Sequence, residues 1–152
     1  MTHVAPITRG EVLAADRAGD LDTALALAHR LHLAAGQGGG LPDRVEAFRM
    51  LARVLRHRGN PVGAREAVSH AARLTRLPRL RQEERLAASV TLDLAACEVE
   101  AGDPMEALQL AERWHHDADP KLAGRAWSVT GRAMLERGDV DGAVSAFCNA
   151  AA

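Results

Sequence analysis

Apolar residues recur along this chain at helical spacing. Phe48, Leu51, Ala52 and Leu55 stand at i, i+3, i+4 and i+7, one stripe of a helix whose other face carries arginine. Ala107, Ala111 and Trp114, and later Ala143, Phe147 and Ala150, repeat the spacing with smaller side chains, which let helices approach closely. The pattern is interrupted four times in the same way: Gly19-Asp20-Leu21-Asp22-Thr23-Ala24, Gly59-Asn60-Pro61-Val62-Gly63-Ala64, Gly102-Asp103-Pro104-Met105-Glu106-Ala107 and Gly138-Asp139-Val140-Asp141-Gly142-Ala143. Glycine accepts the left-handed conformation that ends a helix, and Asp or Asn caps the next amino terminus. Pro61 and Pro104 fill the first helical position, where a missing N–H costs nothing, and Glu106 follows Asp103 as in a capping box. The chain is therefore expected to form four helix hairpins, at about 8–34, 43–76, 82–116 and 119–151, in a single domain. Between them, Gly36 to Gly40 reads as a flexible loop before a helix capped by Asp43 and Glu46. Leu77-Pro78-Arg79 reads as an insertion that adds a turn to a helix over 82–101.

The recurring unit resembles the tetratricopeptide repeat, whose signature is Trp-x-x-Leu-Gly-x-x-Tyr followed by Ala-x-x-x-Phe in the second helix. Trp127, Gly131, Gly138, Ala143 and Phe147 fall on those positions in the last copy, with Thr130 in place of leucine and Met134 in place of tyrosine. The second copy offers Phe48, Leu51, Ala52, Leu55, Gly59 and Ala64, and the third Leu94, Ala95, Gly102 and Ala107. Only Gly19 and Ala24 speak for the first. The resemblance implies an all-α solenoid of about eight antiparallel helices and a protein- or peptide-binding adaptor. Its concave groove would be lined by the first helix of each hairpin.

Carried onto this chain, the groove positions six and ten residues before each repeat glycine are Arg53 and Arg49, Ala96 and Leu92, and Arg132 and Ser128. Arg56 and Arg125 extend the same faces, and Leu92 with Val99 would form an apolar pocket. Guanidinium forks bind carboxylates bidentately, so the expected ligand is an acidic peptide or one with a free C-terminal carboxylate. Chaperone-binding relatives clamp such a terminus with a Lys and Asn set. That set is missing here, so the chaperone-tail activity is not carried over.

Charge changes this picture by its placement. Nineteen basic residues nearly cancel twenty acidic ones, but 44–85 holds eleven arginines against four glutamates, and 93–119 holds eight acids against Arg113 alone. The cluster Arg73, Arg76, Arg79, Arg81 and Arg85 has no interleaved aromatic residues for base stacking, which argues against nucleic acid. Helix-rich composition, no tyrosine and four aromatic residues in all agree with the all-α reading. Cys97 and Cys148 share no metal or redox spacing and are expected to be buried thiols in a reducing compartment. Met1 to Gly10 lacks a leader pattern and no apolar run is long enough to span a bilayer, so a cytoplasmic, membrane-free location is expected.

Neither His29 and His32 nor His115 and His116 fit a zinc spacing, Gly36 to Gly40 lacks the Lys-Ser/Thr ending of a phosphate loop, and no nucleophile–base set assembles. No metal, cofactor or catalytic residue is expected, and no enzymatic activity. The last helix, with Ala143, Val144, Phe147 and Ala150, is expected to present an apolar face that a second copy, a partner or further sequence would cover. Two other functions fit the same pattern: an accessory or dimerisation scaffold for an enzyme or regulator, and a sensor of a small molecule or signalling peptide.

Overall fold

A computed structural model describes residues 6–152; residues 1–5, on which part of the expectation about Met1 to Gly10 falls, lie outside the described residues. Eight α-helices and a short 3-10 turn make up the described structure: α1 Arg9–Arg17, α2 Leu21–Gly38, α3 Leu41–His57, α4 Pro61–Thr75, the turn Pro78–Leu80, α5 Glu84–Glu100, α6 Pro104–Glu112, α7 Pro120–Glu136 and α8 Val140–Ala151. No strand occurs among the described residues, and the fold class is the all-α hairpin repeat.

The four repeat glycines work as their spacing predicts. Gly19, Gly59, Gly102 and Gly138 have φ of 78°, 77°, 88° and 79°, the left-handed region in which a Cβ would be strained. Immediately after them, the side chains of Asp20, Asn60, Asp103 and Asp139 accept hydrogen bonds from the backbone N–H groups of Thr23, Gly63, Glu106 and Gly142, at 3.2, 2.9, 3.1 and 2.9 Å. Each cap satisfies a donor the helix cannot, worth about 1 kcal/mol. The repeat alanines Ala24, Ala64, Ala107 and Ala143 are all buried where paired helices meet. A larger side chain at any of them would overpack the hairpin by about 1–3 kcal/mol.

Two boundaries differ from the sequence expectation. α2 runs on through Gly36 to Gly38, and α3 starts at Leu41, so the glycine stretch is mostly helix with a break at Gly39 and Gly40. Asp43 therefore sits inside the first turn of α3, where its carboxylate accepts a hydrogen bond from the Gly40 N–H at 3.3 Å; Pro42 is tolerated there because that turn needs no donor. Leu77-Pro78-Arg79 does not lengthen the following helix, which begins at Glu84. Proline disfavours helix in the residue before it, and the segment closes as a 3-10 turn that buries Leu80.

The chain divides into two compact units, Met1–Leu80 and Arg81–Ala152, each holding two of the hairpins. In the first unit α2 packs against α1 and α3, and α3 packs against α4; Val12, Ala28, Val45, Val54, Val68 and Ala71 are fully buried there. In the second, α6 packs against α5 and α7, and α7 packs against α8. Its core joins Leu92, Ala95 and Val99 of α5 to Ala107 and Ala111 of α6 and Leu122, Ala126 and Ala133 of α7, with Trp114 against the edge. Gly131 allows a close approach of α7 and α8: a Cβ there would lie 2.7 Å from the Phe147 ring.

Candidate interaction faces of the first helices

Within each unit the first helices of successive hairpins, α1 with α3 and α5 with α7, lie side by side, and their facing charges pair. On α1, Arg9 and Asp16 are seven residues apart; on α3, so are Glu46 and Arg53. Arg9 Nη1 meets Glu46 Oε2 at 3.1 Å, and Arg53 Nε meets Asp16 Oδ2 at 2.8 Å. On α5 and α7 the same two-turn spacing sets Asp93 against Arg125 at 2.5 Å and Glu100 against Arg132 at 2.9 Å. Arg85 adds a rung with Asp119, the N-cap of α7. These pairs are ladders between hairpins, two helical turns per rung.

The deepest rung is Asp16. Its side chain is only 1% exposed, and its second oxygen, Oδ1, lies 2.6 Å from Nδ1 of His57. Burial pushes its pKa upward, but the hydrogen bonds and charges of Arg53 and His57 outweigh burial and hold the carboxyl below its ordinary 3.8. Asp16 escaped the sequence reading. The signal was its position four residues after the core residue Val12, on the buried stripe of an otherwise weak repeat.

The arginines expected in the groove are thus structural partners as well as surface groups. Arg53, Arg125 and Arg132 keep 42%, 40% and 39% of their side chains exposed while bound to carboxylates. Arg49 is more enclosed and bonds Glu46 on its own helix at 2.9 Å, and Arg56 and Ser128 are half-buried. The apolar pocket drawn from sequence is corrected. Leu92 is fully buried, Val99 and Ala96 nearly so, because α6 and α7 close over α5, and none of them offers surface to a ligand. The arginine positions also divide between the units, Arg49, Arg53 and Arg56 in the first and Arg125, Ser128 and Arg132 in the second.

The turn after α6 carries a second unforeseen cluster. His115 stacks on Trp127 with ring centroids 3.8 Å apart, and Trp127 Nε1 donates to the His115 carbonyl at 3.1 Å. The Thr130 hydroxyl donates to the Ala126 carbonyl, so His115 Nε2–H donates to Thr130 Oγ1, at 2.7 Å. Here Thr130, the departure from the leucine of the signature, acquires a reason: it is a buried polar partner for His115. Burial, and then the neighbouring His116 charge, lower the His115 pKa from 6.5 despite the opposing influence of Glu112. His32, lowered chiefly by burial, packs on Phe48 at 4.6 Å. Both histidines thus serve as packed rings.

At the end of the chain Ala143 is buried against α7, not presented outward, whereas Val144 and Phe147 are exposed and Ala150 is half-buried. Cys97 is buried as expected; Cys148 is exposed on α8, because that side of the helix has no neighbour among the described residues. No described helix is long and apolar enough to cross a membrane.

No curated protein matches the chain. The family model of the tetratricopeptide repeat matches residues 45–69, in α3 and α4, and 124–147, in α7 and α8, one hairpin in each unit. Repeats of this kind generally mediate protein–protein interaction and typically act without catalysing a reaction. These matches cover two of the four hairpins, and with the four capped glycine turns and the eight helices they show that the chain is similar to the tetratricopeptide repeats in sequence and in fold.

Proposed function

We propose that the chain is an adaptor that binds an acidic peptide segment, or one ending in a free carboxylate, on the first-helix face of its first unit. The reading is carried by the anchored arginines. A guanidinium offers five N–H donors, and an arginine already fixed by one carboxylate can present the rest with little further loss of side-chain freedom. Arg53 is held in this way by Asp16 and Arg49 by Glu46, with Arg56 one turn beyond Arg53 and two beyond Arg49 on the same helix. Charge favours the first unit as the acidic partner's site. It holds twelve arginines against seven acids, a balance of +5, whereas the second holds seven basic residues against thirteen acids, a balance of −6. Arg125, Ser128 and Arg132 form the corresponding face of the second unit, where the same partner would meet repulsion.

The test is an NMR titration with an acidic peptide bearing a free carboxyl terminus, run beside its C-terminally amidated form. Amide shifts should concentrate on α3, and Arg56→Gln should weaken binding by about 1–2 kcal/mol. Arg53 is unsuitable for this purpose because its removal strands Asp16. Shifts confined to other faces, or equal affinity in the Arg56 variant, would overturn the assignment.

A further inference from the structure

We infer that α8 carries a second docking surface, separate from the first-helix faces, and that its occupant is a basic amphipathic helix. Val140, Val144, Phe147 and Ala151 stand at spacings of four, three and four, a continuous stripe along α8, and all are exposed, Val144 by 57%. Cys148 lies on its margin.

The molecule itself shows what such a stripe binds. Counting from the repeat glycine, Val140, Val144 and Phe147 correspond to Pro104, Leu108 and Ala111 of α6 and to Leu21, Leu25 and Ala28 of α2. In α6 and α2 the third position is fully buried and the first two are half-buried, with α7 lying over α6 and α3 over α2. At α8 the first two positions face outward, and Phe147, whose ring packs on Gly131 of α7, still keeps 37% of its surface exposed. An aliphatic residue is not obligatory at the middle position, since α4 has Arg65 there, so Val144 is not a mere requirement of the hairpin.

The two covering helices share a chemistry. α3 carries Arg44, Arg49, Arg53 and Arg56 against Asp43 and Glu46, and α7 carries Lys121, Arg125 and Arg132 against Glu136, a balance of +2 in each. The surface beside the α8 stripe is complementary to that charge: Asp141 is the one charged side chain on α8, and Glu136 and Asp139 before it outnumber Arg137, all exposed, in a unit of balance −6. The fit is therefore to a helix like α3 or α7, with an apolar stripe and basic flanks, supplied by a partner.

A fluorescein-labelled synthetic peptide with the sequence of residues 119–137 serves as the probe, titrated with the whole protein and read by anisotropy. Saturable binding is expected, weakened roughly tenfold by Val144→Asn, which removes an apolar contact, and several-fold by Asp141→Lys, which reverses the charge. Both side chains are exposed, so both variants should keep the wild-type helical circular dichroism and melting temperature. Absence of saturable binding, or an affinity untouched by Val144→Asn, as when the peptide merely displaces the chain's own α7, would overturn the inference. So would sedimentation showing a dimer that Val144→Asn dissociates, because the occupant would then be a second copy. None of these readouts involves Arg49, Arg53 or Arg56, so the acidic-peptide reading stands or falls separately.

Discussion

Each unit joins its own first helices by a ladder, of equal spacing in the two but of different charge order and depth. In the first unit the sign alternates along each helix, Arg9 then Asp16 on α1 and Glu46 then Arg53 on α3, and one rung is buried. In the second, Asp93 and Glu100 both lie on α5 and Arg125 and Arg132 both on α7; the reversal of sign comes only at Arg85, whose side chain is 79% exposed. Alternation selects register. A two-turn slip of α3 along α1 would bring Asp16 to Glu46 or Arg9 to Arg53, like charges facing each other. The same slip of α7 along α5 still sets an acid against an arginine at the inner rungs, and its penalty is confined to the outer end, Arg85 against Arg125 or Asp93 against Asp119. The buried rung of the first unit therefore specifies its pairing, and the outer rungs of the second chiefly tune its surface.

Removal of Arg53 should produce the largest difference between the units. Arg53→Ala leaves a buried carboxylate with His57 as its remaining partner and should cost about 3 kcal/mol in urea unfolding. Arg132→Ala should cost under about 1 kcal/mol, since both members of its pair are partly exposed. Comparable losses in the two variants would erase the distinction.

Acid should separate the units more gently. The His115 pKa is lowered in the folded protein, so its packing contributes fully above the ordinary 6.5 and is lost as the pH falls below that value and through the folded one. Asp16 is also lowered, so its contribution is complete above 3.8 and disappears only as the pH falls through a value lower still. Amide protection in the turn between α6 and α7, taken relative to the intrinsic exchange rate at each pH, should fall as soon as the pH drops below 6.5, while that of α1 should hold until below 3.8. The opposite order would show that the depth of the Asp16 rung has been misjudged.

The hairpins were legible because their signals are local. A left-handed glycine, an Asp or Asn cap and a proline in the first turn each act within a few residues, so Gly59-Asn60-Pro61 or Gly102-Asp103-Pro104 announces a turn without knowledge of the fold. The faces were less legible because pairing between helices is set by residues more than thirty positions apart. Nothing local marks Asp16 as the partner of Arg53, or Glu100 as the partner of Arg132. Leu92 and Val99 were expected to form an apolar pocket because the resemblance placed them on a groove; the closure of α6 and α7 over α5 decides otherwise. His115 and Thr130 needed the turn after α6 to bring them together.

The most direct measurement is a pair of double-mutant cycles on folding stability, Asp16→Asn with Arg53→Gln in the first unit and Glu100→Gln with Arg132→Gln in the second. A coupling of about 1–3 kcal/mol is expected for the first and under about 0.5 kcal/mol for the second. Zero coupling between Asp16 and Arg53 would contradict the account, because the first unit's register would then owe nothing to its buried rung.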